Sequence, residues 1–356
     1  MTALLASRLL GPQGLVEGAR LTLEGGRVAR IEPAGRPCPD RLVCPGFVEL
    51  QFNGAEGVEV AGADGSDWEV LERVLVASGV TAWCPTLTSA PLPRLEESLE
   101  RVAARRQRQA PRAPRLLGAH LEGPFLGGCP GAHDPGYLVG VDLDWLRRVS
   151  GWLRVVTLAP EAAGATRAAA ELASRGVLVA LGHSTATYEQ AEEAVEAGAR
   201  LVTHLWNAMA PLHHRRPGLV GAALADRRLA VSLIADLHHV HPAVLAVTFA
   251  AKGPDQVVLV TDAVASATPA TGPARLEDGT LAGSALRMDQ AVRNVVSCGA
   301  AGLEAALRAA SANPARLLGL PGQGCLKEGG PADLVALGAD LEVEATWVGG
   351  ELAWSA

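Results

Sequence analysis

The sequence predicts an α/β chain: a (β/α)8 TIM-type barrel with a small β-sandwich domain formed by the N- and C-terminal segments. Three observations carry this. Eight apolar runs, near 44–50, 79–84, 115–121, 153–158, 177–182, 200–205, 229–235 and 256–261, are nearly unbroken, as expected of parallel strands covered on both faces. Helix-like stretches fall between most of them, which is the βα alternation of a barrel. Both chain ends lack that alternation and read as short strands and turns. These patterns divide the chain into 1–45 (first part of the β domain), 46–321 (barrel) and 322–356 (second part). An open doubly wound sheet is the competing architecture. No G-x-G-x-x-G or Walker loop stands at a strand–helix junction, which weakens a nucleotide-binding reading.

In chain order, LTLEGGRVARIEPAG has near-alternating apolar residues broken by Gly25-Gly26, a hairpin signal. LEESLERVAARRQRQ reads as a helix whose arginines gather near its C-terminal end, where they suit the dipole. Thr187 is an N-cap with Gln190 three residues on, as in a capping box; AEEAVEA continues the helix and Gly198 ends it. The closing stretch GGPADLVALGADLEVEATWVGGELAWS has the strand-and-turn character of the N-terminus, so the two ends are expected to share one sheet domain.

The 356 residues are 49% hydrophobic and 19% charged, enough to bury a large core. The net charge of −7 argues against nucleic acid as a partner, so an anionic substrate needs a local basic patch. Six cysteines without a C-x-x-C pair read as reduced thiols of a cytoplasmic protein. No stretch is apolar and long enough to span a membrane, and the N-terminus is not a convincing signal peptide.

Four of the strand-like runs end in an ionisable side chain: Glu122, His183, His204 and Asp262. One histidine at a strand end is more often a hydrogen-bonded structural residue than a ligand. Four ionisable groups in the same topological place, each costly to bury unpartnered, argue for a site. Two histidines and a glutamate make a shell suited to a catalytic zinc with a position open to water. Asp262 then serves as general base and acid. His133, in the glycine-rich loop after Glu122, is a candidate to stabilise an oxyanion, or else a surface-loop histidine. His120, two residues before Glu122, faces the same side and is either an orienting residue or a packed barrel histidine. APLHHRRPG, with His213, His214, Arg215 and Arg216, suits phosphate or is a solvated basic loop. In DLHHVHP, the roles of His238, His239 and His241 stay open between metal, substrate and solvent.

In order along the chain, PGFVELQFNG, HLEGPFL, GAHDPG, LGHSTAT, THLWNAM, RRPGLVGAAL, ADLHHVHP, LVTDAV and AGSALRMDQAVRNVV resemble the N-acetylglucosamine-6-phosphate deacetylases of the amidohydrolase superfamily, from about residue 44 to the C-terminus. The resemblance implies a (β/α)8 barrel with a small β domain, Glu122, His183 and His204 as metal ligands, and Asp262 as the proton-transferring group. It implies that His133 contacts the acetamide carbonyl, that Asn207 and Ala208 touch the sugar phosphate, and that Arg215 and His239 lie on the phosphate side. It also implies a homodimer acting on a sugar phosphate. Where many amidohydrolases hold a second metal with His-x-His, this chain has Gln51-Phe52-Asn53. Amides are poor ligands beside imidazole, so one divalent ion per chain is expected, zinc before Fe2+, Co2+ or Mn2+. The implied reaction is deacetylation of N-acetylglucosamine 6-phosphate. Its alternatives are the galacto epimer, an N-acyl amino acid deacylase or cyclic-amide hydrolase, and a barrel kept only for binding or assembly.

Overall fold

The computed structural model describes residues 2–268 and 270–356. Eight strands form the barrel: Phe47–Phe52, Val80–Thr88, Ala119–Glu122, Leu153–Leu158, Leu178–Leu181, Leu201–Val202, Ala230–Ile234 and Val257–Val260, called barrel strands one to eight below. Each pairs in parallel with the next. The seam between strands eight and one is closed by Asp262 N–H to Gln51 O (2.9 Å) and Asn53 N–H to Ala263 O (2.8 Å). Glu49, fully buried on strand one, reinforces it by accepting from Gln51 N–H at 2.9 Å and Thr261 N–H at 3.1 Å. Helices lie between most strands, among them Leu92–Gln107, Ala165–Ser174, Tyr188–Glu196, Gly218–Ala225 and Pro242–Lys252. Valine, leucine and alanine fill the space between strands and helices, as the unbroken apolar runs require.

The third run is interrupted. Arg115–Leu116 pairs with strand two and Ala119–Glu122 with strands two and four, while Gly118 between them takes φ +136°. The capping box is formed: Thr187 accepts from Gln190 N–H, and the Gln190 side chain accepts from Thr187 N–H. Gly198 follows that helix at φ +116°.

Both chain ends enter one seven-stranded sheet, ordered Glu351–Ser355, Val343–Val348, Leu334–Leu337, Leu42–Pro45, Thr2–Gly11, Gly14–Glu24, Arg27–Pro33. Gly25 and Gly26, both at positive φ, make the tight turn between the last two strands, where the right-handed twist of the hairpin demands that geometry. The sheet curls so that Val28 N–H donates to Gly330 O and Ala332 N–H to Gly26 O. One rolled sheet thus encloses its own core of Leu9, Leu21, Leu23, Val28, Leu334 and Trp347, separate from the barrel core. All six cysteines are unpaired. No helix among the described residues is long and apolar enough to cross a membrane.

Candidate active site

The site lies where the barrel strands end. His183, His204 and Asp262, each two residues beyond the ladder of strands five, six and eight, have φ of +50°, +31° and +50°. Glu122 ends strand three and is followed by Gly123 at φ +86°. Left-handed backbone is unfavourable for a side-chain-bearing residue and persists where surrounding contacts over-determine it. Here the turn swings each side chain from the strand direction towards the barrel axis.

Nε2 of His183 and Nε2 of His204 stand 3.2 and 2.9 Å from Oε1 of Glu122, and 3.1 Å from each other. Ligand atoms bonded to one zinc at roughly 2.0–2.2 Å in tetrahedral geometry are about 3.3 Å apart, so this triangle fits a single ion. His183 Nδ1–H donates to Pro130 O at 3.0 Å, which fixes the tautomer and leaves the Nε2 lone pair facing the triangle. All three side chains are buried. Burial works to raise the Glu122 carboxyl, but the two neighbouring imidazoles prevail and hold it well below the usual carboxylate range.

His133 belongs to the same cluster, since Glu122, His133 and His183 offer ligand atoms within 4.8 Å of one another. Its hydrogen bonds give it a different part. Nδ1 accepts from Ser89 N–H at 3.2 Å and lies 2.8 Å from Ser89 Oγ, so a neutral ring carries its proton on Nε2. Burial drives its pKa down to about 4, which keeps the ring neutral. Nε2–H therefore faces the cavity as a donor, 4.0 Å from Glu122 Oε2, and has no lone pair to give a metal. Ser89 carries no sequence signal of its own; it is found only by folding.

Gln51 and Asn53 turn their amides onto the two carboxylates. Gln51 Nε2 donates to Glu122 Oε1 (2.8 Å) and Asp262 Oδ1 (3.1 Å), and Asn53 Nδ2 donates to Asp262 Oδ1 (2.7 Å). Hydrogen-bond donors thus occupy the place where a second cation would have to sit. His120 is a packed barrel histidine: Nδ1 meets Leu50 O at 2.9 Å and Nε2 meets Thr157 Oγ1 at 2.8 Å, linking strands one, three and four below the site.

A cavity of about 580 Å³ opens over this cluster, lined among others by Glu122, His133, His183, His204, Asn207, Ala208, His239 and Asp262. His239 is placed by Asp236, whose Oδ2 lies 2.7 Å from its Nδ1 while Oδ1 accepts from His238 and His239 N–H. His241 caps the helix Pro242–Lys252, accepting from Ala243 N–H, and His238 is exposed. His213 accepts from Arg215 N–H in a tight turn, and His214, Arg215 and Arg216 are exposed. The structure does not bring Arg215 to the cavity of its own chain.

Known proteins share this architecture. The model of the amidohydrolase family matches residues 153–353. A protein of Escherichia coli O157:H7 named N-acetylgalactosamine-6-phosphate deacetylase is 39% identical, over 98% of each chain. This chain belongs to the amidohydrolase family. A human protein named N-acetylglucosamine-6-phosphate deacetylase is 37% identical over 92% of this chain and 87% of its own. Among solved structures, a mutant N-acetyl-D-glucosamine-6-phosphate deacetylase of Mycobacterium smegmatis in complex with N-acetyl-D-glucosamine-6-phosphate superposes with a TM-score of 0.92, at 33% identity over 99% of both chains. The likeness to these relatives therefore covers the whole chain, barrel and terminal sheet alike, including the part before residue 153.

Proposed function

We propose that this hydrolase removes the acetyl group of N-acetylglucosamine 6-phosphate, giving glucosamine 6-phosphate and acetate. The observation that carries the reading is the triangle of Glu122, His183 and His204 beside the half-buried Asp262, all lining one cavity. These three residues would hold one divalent cation, zinc before Fe2+, Co2+ or Mn2+, which when bound supplies a Lewis acid and makes a water acidic near neutral pH. The carboxylate of Asp262 takes the proton of the attacking water and passes it to the amine nitrogen as the C–N bond breaks. Nε2–H of His133 donates to the carbonyl oxygen as charge develops on it. Gln51 and Asn53 hold Asp262 in place through their amides.

His239 and the Asn207–Ala208 segment line the cavity and are the chain's own candidates to meet the phosphate. We assign Arg215 to the cavity of a second subunit, which accounts for its exposure here and makes the enzyme a homodimer. A cytoplasmic location suits its six unpaired thiols. A second reading, deacetylation of the galacto epimer, is favoured by the 39% identity to the protein of that name. Acetate release from the two epimeric 6-phosphates and from unphosphorylated N-acetylglucosamine, with and without chelator, tests these readings. Chelator-sensitive turnover of the gluco 6-phosphate in preference to the other two supports the first. Preference for the galacto phosphate replaces it with the second, and equal turnover of phosphorylated and free sugar removes the phosphate pocket.

A further inference from the structure

Strand four is the one strand between strands three and six whose end contributes no side chain to the chemistry proposed above. Three residues beyond it stands Glu161. Its Oε1 accepts from Thr185 N–H at 2.7 Å, Gly128 N–H at 3.2 Å and Thr185 Oγ–H at 3.3 Å, and its Oε2 accepts from Ser184 Oγ–H at 2.7 Å. A carboxylate offers acceptors only, and four donors from two loops converge on it. Glu161 is not among the residues that line the cavity.

The groups it gathers are next to the reacting ones. Ser184 and Thr185 directly follow His183, whose left-handed backbone needs outside support. Gly128 begins the stretch that runs to Pro130, the partner of His183 Nδ1, and on to His133. Gly127 N–H donates to His183 O at 2.9 Å, and a Cβ at Gly127 would overlap the Glu161 carboxylate. Ser184 is fully buried and exchanges backbone bonds with the next loop: its N–H donates to Ala208 O and its O accepts from Ala210 N–H, both at 3.1 Å. One carboxylate thus ties together the loops after strands three, four and five, and through Ser184 the loop after strand six.

We propose that Glu161 is a positioning residue: it fixes the turn after His183 against the Gly127–His133 loop, so that the ligand nitrogen of His183 and the donor Nε2–H of His133 face one point. The proposal rests on the reading of His183 as a cation ligand. Loss of such an outer partner typically weakens metal affinity or activity by about 10–100-fold.

The test compares wild type, Glu161→Ala and Glu161→Gln. It reads zinc affinity by chelator competition, amide hydrogen exchange over residues 123–133 and 183–187, and kcat and KM for N-acetylglucosamine 6-phosphate. Glu161→Ala is expected to weaken zinc binding by about 10–100-fold, to speed exchange in both segments, and to lower kcat more than it raises KM. Glu161→Gln is expected to fall between, because its amide oxygen still serves Thr185 and Gly128 while its nitrogen donates to Ser184 Oγ. A folded Glu161→Ala protein with wild-type zinc affinity and wild-type exchange in both segments overturns the proposal, even if its thermal midpoint drops. Should the alanine variant not fold, wild-type values in Glu161→Gln overturn it instead. If the wild type releases no acetate from this substrate, the proposed function fails, and the affinity and exchange measurements still decide on Glu161.

Discussion

Asp262 carries the proton transfer in the proposed reaction, and its surroundings set its working range. Burial and the charge of Glu122 push its carboxyl up to about 6, against the opposing pull of His204, His239 and the Asn53 amide. A base acts in its ionised form, so activity is present above this pKa and lost as the pH falls through it. A dication bound beside it draws the pKa down. The acid limb of kcat/KM is therefore expected at or below about pH 6; a midpoint above about pH 7 would assign that limb to another group. Asp262→Asn is expected to lower kcat by about 10²–10⁴-fold with metal content unchanged, since the ligand triangle stays intact. Near-normal turnover in that variant would remove Asp262 from the mechanism. His133→Ala is expected to cost about 10²–10³-fold in kcat, as for a lost oxyanion donor, again without loss of metal. A metal-free His133→Ala protein would make His133 a ligand after all. At this scale the sequence displayed the four strand-end groups because their charge interrupts apolar runs. It could not display Ser89, Asp236 or Glu161, which are ordinary polar residues until folding puts Ser89 against His133, Asp236 against His239, and Glu161 against Ser184 and Thr185, the residues after His183.

At the scale of elements, strands were legible as runs and the helix from Tyr188 to Glu196 as a cap signal, because both depend on neighbours in sequence. The interruption at Gly118 and the two-residue ladder of strand six were not. Past Val202 the strand-six backbone still finds partners: Thr203 N–H donates to Leu181 O and His204 N–H to the hydroxyl of Ser232, so the run reads longer than its ladder. The joint between the two cores is Gly46, between Leu42–Pro45 of the curled sheet and barrel strand one. A Cβ there would fall inside the side chain of Thr81. Gly46→Ala is expected to destabilise by about 1–3 kcal/mol through overpacking, seen as a lower unfolding midpoint. Adding Thr81→Ala should recover part of that loss; strictly additive effects of the two changes would refute the clash as the cause.

For the whole molecule, two expectations separate the architectures. Metal analysis should give one tightly bound ion per chain, because Gln51 and Asn53 present donors to Glu122 and Asp262 where a second ion would sit. Two stoichiometric, tight ions would overturn this. If Arg215 serves the partner's cavity, then Arg215→Ala and Asp262→Asn subunits, each weak alone, should complement when mixed. Random pairing of a symmetric dimer leaves about a quarter of wild-type activity. No recovery on mixing, with subunit exchange demonstrated, would return Arg215 to its own chain or remove it from the site.

By itself the sequence determined the barrel, the sheet shared by both chain ends, and the identity of Glu122, His183, His204 and Asp262 as a set. Those follow from local hydrophobic pattern and from the energetic oddity of charge at the end of a buried strand. Only the tertiary structure decided which imidazole nitrogens point where. His133 turns an Nε2–H to the cavity and His183 an Nε2 lone pair because Ser89 and Pro130 engage their Nδ1 atoms from distant segments, which is what the proposed donor and ligand roles require. Hydrogen bonds of that kind join residues tens of positions apart, and no pattern along one chain records them.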